Sequence, residues 1–157
     1  MDPSACEEVE TWSLLIRLQT QILSQVETRF EKAGLIGYRS YEVLVALLSA
    51  DGHRLRLNEL ADKVGLTRSG LTRMADRLEK DGFLRRDRSL EDGRGVYAHI
   101  CPSGREAVRA AWPTYRACVA DWVGLTMNSE ERWFLRRLCS RLLKAPETLA
   151  DPQEAWQ

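Results

Sequence analysis

Apolar residues recur every three or four positions along much of this chain, the spacing that gathers side chains on one face of an α-helix. Leu15, Leu18, Ile22, Val26 and Phe30 keep that period in a segment predicted to be helical from about Val9 to Lys32. Residues 1–8 are expected to fray, and Gly34 and Gly37 to end the helix. Ser40 is expected to cap a second helix, YEVLVALLS, with Tyr41, Leu44, Val45 and Leu48 turned to a core. After the Asp51-Gly52 turn, Leu55-Arg56-Leu57 reads as one short strand. Asn58 then caps a short helix with Leu60, Ala61 and Val64 on one face, and Gly65 stops it. Thr67 caps the next, whose apolar stripe is Leu71, Met74, Ala75 and Leu78.

Asp81-Gly82 is a helix stop. Phe83–Arg88 and Val96–Ile100 read as two strands around the polar loop SLEDGRG, and together form a hairpin. Pro102-Ser103-Gly104 opens a long helix from about Arg105 to Val123, which Pro113 should kink and Gly124 should end. Asn128 and Glu131 make a capping box for a last helix with the stripe Phe134, Leu135, Leu138 and Leu142, stopped by Lys144-Ala145-Pro146. The expected fold class is mainly α with a small β part (α+β): six helices and a three-stranded antiparallel sheet, in one subunit over 1–157.

The two helices around Gly65 carry the functional signal. Opposite the apolar stripe of the second lie Ser69, Thr72, Arg73, Asp76, Arg77 and Lys80, with Arg68 near its start. Helix, glycine turn, then a helix with donors on its free face is a helix-turn-helix, and a hairpin directly after it is a wing. The bland alternative is a solvated surface laced by pairs such as Asp76–Lys80. Asp76 is expected to orient Arg73 or Arg77 rather than read a base.

Charge narrows the function. Lys and Arg number 23 and Asp and Glu 23, so the net charge is zero and no general polyanion binder is implied. Locally, Arg68 to Arg88 holds seven bases against four acids, while Asp2, Glu7, Glu8, Glu10 and Glu147, Asp151, Glu154 make both ends acidic. A basic patch in a neutral chain suits a module directed at a groove. No apolar run reaches membrane-spanning length and the acidic start lacks a signal peptide's basic region, so the cytoplasm is expected. Cys6, Cys101, Cys118 and Cys139 are scattered and read as free thiols. With only His53 and His99, no metal is expected; His53 is a loop residue. No phosphate loop or Ser/His/Asp pattern is present, so neither a cofactor nor an enzyme is expected.

The flanking helices carry more apolar surface than the central module can cover, which predicts a two-fold homodimer. Residues 9–34 and 103–146 would dimerise, and 38–101 would form the winged helix-turn-helix. Paired recognition helices about 34 Å apart would reach successive major-groove faces of duplex DNA.

On the stretch ELADKVGLTRSGLTRMADRLEKDGFLRRDRSLEDGRGVYAHICPSG, the chain resembles the MarR family (multiple-antibiotic-resistance regulators). The matching elements are Leu84-Arg85-Arg86, Asp92-Gly93-Arg94 and Ile100-Cys101-Pro102-Ser103-Gly104. Cys101 stands where the family has threonine, and Gly93 where it has a second arginine, which makes the wing less basic. The resemblance implies a homodimer on a pseudo-palindromic operator, usually a repressor, released by a small, often anionic aromatic, effector or by thiol oxidation. It places Arg68, Ser69, Thr72 and Arg73 at bases or nearby phosphates, Arg77, Arg85, Arg86 and Arg88 at the DNA backbone, and Arg94 in the minor groove. Arginine suits both roles, as a bidentate donor to guanine and as a thin cation in a narrow groove.

Trp12, Trp112, Trp122 and Trp133 lie on the predicted dimer helices and read as packing residues. The alternative is an effector pocket where those helices meet the winged module, lined by Trp12, Arg17, Tyr38, Arg39 and Arg116, with an arginine receiving a carboxylate. The hydroperoxide-sensing branch carries its reactive cysteine midway along the first helix, a position that falls near Ile16 here, which disfavours that branch. Cys118 and Cys139 read as packing residues, and Cys101, at a helix entrance near the wing, is where oxidation would matter. The competing readings are a redox-responsive regulator, a ligand-independent repressor and a winged-helix module for protein–protein contact.

Overall fold

A computed structural model describes residues 3–88 and 95–144. The chain divides into two compact units, Met1–Cys118 and Val119–Gln157.

In the first unit α1 (Pro3–Lys32) starts earlier than the apolar period suggests. Proline is tolerated in the first turn of a helix, and nothing between it and Val9 breaks one, so residues 3–8 are helical rather than frayed. Only the far end of α1 is anchored: Val26 and Phe30 are buried, while Leu15 and Leu18 are exposed. Phe30 meets Tyr38 and Tyr41 edge-on, with ring centroids 5.6 and 5.4 Å away.

Those tyrosines belong to α2 (Tyr38–Leu48), which begins two residues before Ser40. Ser40 is buried in the first turn and does not cap the helix. The Tyr38 backbone N–H instead donates to Glu27 Oε2 of α1 at 2.9 Å, so the cap comes from another helix. A short 3-10 turn, Asp51–His53, leads into β1 (Arg54–Arg56) and then α3 (Leu57–Val64). Asn58 therefore lies inside α3; Arg56 is the cap position, and its N–H donates to Glu59 Oε2 at 3.3 Å.

Gly65, at φ 65°, turns the chain from α3 into α4 (Arg68–Lys80), a left-handed conformation that side chains resist. Strands β2 (Leu84–Arg88) and β3 (Val96–Ile100) pair antiparallel, and β1 joins the other edge of β3, giving the order β1-β3-β2. Leu60, Leu71, Leu78, Leu84, Ala98 and Ile100 close one core with Leu44 and Leu47 of α2.

Helix α5 (Pro102–Val119) runs on through Pro113, and the chain departs from α geometry later, in a π-helical turn at Ala120–Gly124. In the second unit Asn128 caps α6 (Ser129–Leu142) as expected. Its Oδ1 accepts from the N–H groups of Glu130 and Glu131 at 2.9 and 3.0 Å, while its own N–H donates to Glu131 Oε2 at 2.8 Å. Pro146 lies outside the described residues. Among the described residues, six α-helices and one small antiparallel sheet match the expected class.

Candidate nucleic-acid interface

Helix α4 is built to present one face. Thr67 Oγ1 accepts from the Gly70 N–H at 3.1 Å and satisfies a donor of the first turn. Leu71, Ala75 and Leu78 are buried and Met74 half-buried, which leaves Arg68, Ser69, Thr72, Arg73, Asp76, Arg77 and Lys80 exposed. The Thr72 hydroxyl donates to the Arg68 carbonyl at 2.9 Å, so its oxygen still offers lone pairs outward. All four residues assigned to base contact, Arg68, Ser69, Thr72 and Arg73, thus share one open surface with Arg77.

The sheet sorts its own arginines by parity. Side chains alternate faces along a strand, so Leu84 and Arg86 share the side of Ala98 and Ile100, while Arg85 and Asp87 share that of His99 and Tyr97. The second side is polar. Arg85 Nη1 lies 3.4 Å and His99 Nε2 3.3 Å from Asp87 Oδ2. Arg54 and Arg56 of β1 each stand 5.1 Å from the Tyr97 ring centroid, and Arg56 Nε donates to the Tyr97 hydroxyl at 3.0 Å. Sequence reasoning missed these two arginines as part of the cationic surface, although the alternation Arg54-Leu55-Arg56 was there to be read.

Arg86 has a different position. Its Nε and Nη2 donate to Glu79 Oε2 at 2.9 and 2.6 Å, its backbone N–H to Glu79 Oε1 at 2.8 Å, and Nη2 lies 2.7 Å from Asp76 Oδ1. Asp76 therefore pairs with the strand and not with Arg73 or Arg77. The pairing holds Glu79 below the usual carboxylate range and raises Arg86. Arg88 ends β2 opposite Val96, and Arg94 at the wing tip lies outside the described residues.

The entry to α5 ties the wing to its base. The Cys101 N–H donates to the Phe83 carbonyl at 2.9 Å and the Ser103 hydroxyl to the Gly82 carbonyl at 2.5 Å. A Cβ at Gly104 would run into the same Phe83 carbonyl oxygen, so only glycine lets the helix come this close.

The residues expected to line an effector pocket do not converge. Trp12 sits on α1 in a groove with Glu7, Glu8, Thr11 and Leu15, and Arg17 and Arg116 are exposed. Arg39 is bound to Glu42 at 2.9 Å. Only Tyr38 lines the cleft between α2 and α5, a cavity of about 350 Å³ whose walls include Tyr41, Glu42, Lys63, Trp112 and Tyr115. Burial first, then the Glu42 carboxylate, raises the Tyr38 hydroxyl, and burial pushes Tyr41 up to about 12. Both stay neutral donors. Cys118 is buried as expected, whereas Cys139, expected to pack, is exposed. Among the described residues no cluster of ligand-type side chains could hold a metal, and no helix is long and apolar enough to cross a membrane.

The sequence model of the MarR family matches residues 36–96, from the approach to α2 through the first residue of β3. The transcriptional repressor MprA of Escherichia coli (strain K12) is 28% identical over 139 residues, 87% of this chain and 78% of that protein. Among solved structures, Sco3205, a MarR family transcriptional regulator from Streptomyces coelicolor captured in complex with DNA, aligns with a TM-score of 0.82 at 27% identity, over 90% of each chain. AbsC, from the same organism, shares the fold at a TM-score of 0.80 and 23% identity, over 91% of this chain and 94% of that one.

Proposed function

This chain belongs to the MarR family of DNA-binding transcriptional regulators, and we propose that it is a repressor, active as a homodimer on a pseudo-palindromic operator and released by a small aromatic effector. The observation that carries the reading is the open face of α4, where Arg68, Ser69, Thr72, Arg73 and Arg77 stand together over a buried Leu71, Ala75 and Leu78. A helix of this kind lays hydroxyl and guanidinium donors against base edges in a major groove. Arg85, Arg54 and Arg56 on the outer side of the sheet would meet flanking phosphates, Arg88 would add a backbone contact, and Arg94 would enter the minor groove.

Dimerisation would run through residues 9–34 and 103–146. It is supported by the large apolar side chains left exposed on α1, among them Val9, Trp12, Leu15 and Ile16, and by Trp133 and Phe134 on α6. The cleft of Tyr38, Tyr41, Trp112 and Tyr115 would take the effector ring, with Lys63 in the role first assigned to an arginine: partner of a carboxylate. Filling a cleft between α2 and α5 would shift the spacing of the two recognition helices in the dimer. The cytoplasm is the compartment this activity requires.

The test is selection of duplexes from a random pool, followed by anisotropy titration of the winner over a range of salt concentrations. Binding that falls steeply and log-linearly with salt is expected from counterion release. No enrichment above the random pool, or a salt-independent signal, would refute DNA reading. A thermal-shift panel of aromatic carboxylates, with and without reductant, tests the effector; a compound that stabilises the protein should also lower operator affinity.

A further inference from the structure

We propose that Arg86 does not touch DNA but acts as a positioning residue, fastening the wing strand β2 to the recognition helix α4 through Glu79 and Asp76. The inference rests on the DNA-binding reading above and changes the part Arg86 plays in it. Parity puts Arg86 on the side of the sheet that holds the buried Leu84, Ala98 and Ile100, away from Arg85. Its side chain is 24% exposed, against 64% for Arg85. The guanidinium reaches inward to α4, where Asp76 and Glu79, three residues apart, occupy neighbouring positions on the helix surface.

The geometry occupies the Nε–Nη2 edge, the edge with which a guanidinium grips a phosphate in bidentate fashion, and turns it toward α4. Nε and Nη2 are both committed to Glu79 at 2.9 and 2.6 Å, and Nη2 also meets Asp76 at 2.7 Å. Glu79 accepts the Arg86 backbone N–H as well, at 2.8 Å, so a single carboxylate grips both main chain and side chain of one strand residue. A planar fork held at both ends restrains rotation about the α4–β2 junction in a way a point charge would not. The same guanidinium offsets one of the two negative charges of an acid pair that would otherwise repel the DNA backbone more strongly from beside the reading face. Arg86 thereby fixes the angle between the elements assigned to the major and minor grooves.

The experiment compares wild type, Arg86→Gln, Glu79→Gln, the double variant and Arg85→Gln on the selected duplex and on a random one. Each is titrated over a range of salt concentrations, and a thermal melt monitors folding. For Arg86→Gln the ratio of operator to random affinity is expected to drop about tenfold, the order of one lost base contact, with the salt slope unchanged. Glu79→Gln is expected to show the same loss, and the double variant no more than either single. Arg85→Gln, a backbone contact, is expected to lower the slope by about 0.9 and leave the ratio alone.

A slope reduced by about 0.9 in Arg86→Gln makes Arg86 a phosphate contact and overturns the proposal. So does a gain of operator affinity in Glu79→Gln, since a freed guanidinium would then have found the DNA. An unchanged ratio and slope with only a lower melting point reduces Arg86 to a structural residue and overturns it too. Should Arg86→Gln fail to fold, Glu79→Asp decides: it keeps the charge but shortens the reach, and wild-type discrimination in that variant rejects the positioning role. Wild type that shows no salt-dependent binding to any duplex rejects the DNA-binding reading itself, an outcome seen before any variant is made.

Discussion

On the exposed face of α4, Arg73 has no acidic side chain within 4.0 Å among the described residues, so its guanidinium is available to a base edge. Arg73→Ala should cost roughly 1–3 kcal/mol of operator binding and blur the preference at one base pair, as a comparison of single-substitution duplexes will read. Arg94→Ala should instead weaken all duplexes evenly and flatten the salt slope, as a minor-groove or phosphate cation does. His99 supplies a different residue-scale prediction. Burial holds its imidazole below the ordinary range, against the pull of Asp87 and with the push of Arg85 and Arg54. Folding therefore favours neutral His99, and the unfolded chain takes up the proton first as pH falls. That contribution is complete above the unfolded value, about 6.5, and is lost as pH drops through the lowered folded value. The melting temperature should fall on acidification from about pH 7 to pH 5, and His99→Gln should show a shallower fall; equal slopes would remove His99 from the account.

Elements were legible in the sequence wherever their signals are local. Thr67 caps α4, Gly65 turns left-handed, Asn128 and Glu131 form their box, and both wing strands lie within a residue of where they were expected. The failures have two causes. Asn58 was displaced locally, by the Arg56–Glu59 cap that starts α3 earlier. Ser40 has the chemistry of a cap, but α2 takes its carboxylate from Glu27, eleven residues before Tyr38, and such a cap exists only once α1 has docked. Asp76 was matched with arginines on its own helix because spacing along a helix is all that a sequence offers, and its partner stands on β2. The inward face of Arg86 was within reach: it follows from Leu84 by the strand period of two. At the entry to α5 the expected glycine proves to be a matter of clearance. Gly104→Ala would drive a methyl group into the Phe83 carbonyl and should cost roughly 3 kcal/mol by overpacking, while Ser103→Ala, losing one hydrogen bond to Gly82, should cost about 1. Urea melts of the two variants will separate them, and equal losses would mean that the hydrogen bond, not the close approach, holds α5 to the wing.

At the scale of the whole molecule the question is what covers α1. Val26 and Phe30 hold its end in the core, but Val9, Trp12, Leu14, Leu15, Ile16 and Leu18 leave its first five turns with apolar side chains 40 to 64% exposed. A 30-residue helix anchored only near its end would be a poor investment for a monomer, since an isolated helix draws its stability from a packed face. The α6 unit presents the same feature, with Trp133 and Phe134 more than half exposed. Two chains related by a two-fold axis would bury both sets at once and pair two α4 faces on one duplex. The expected outcome is a dimer at micromolar concentration in small-angle scattering and sedimentation, burying at least about 1,000 Å² as a stable interface needs. Trp12→Glu should shift the chain toward monomer and weaken operator binding steeply, because each half-site alone contributes only its own contacts, while the melting of the α2–α4 core should change little. A wild-type monomer that nonetheless binds the selected duplex would sink the dimer and leave a single winged helix reading one half-site; Trp12→Glu with unchanged mass would move the interface off α1.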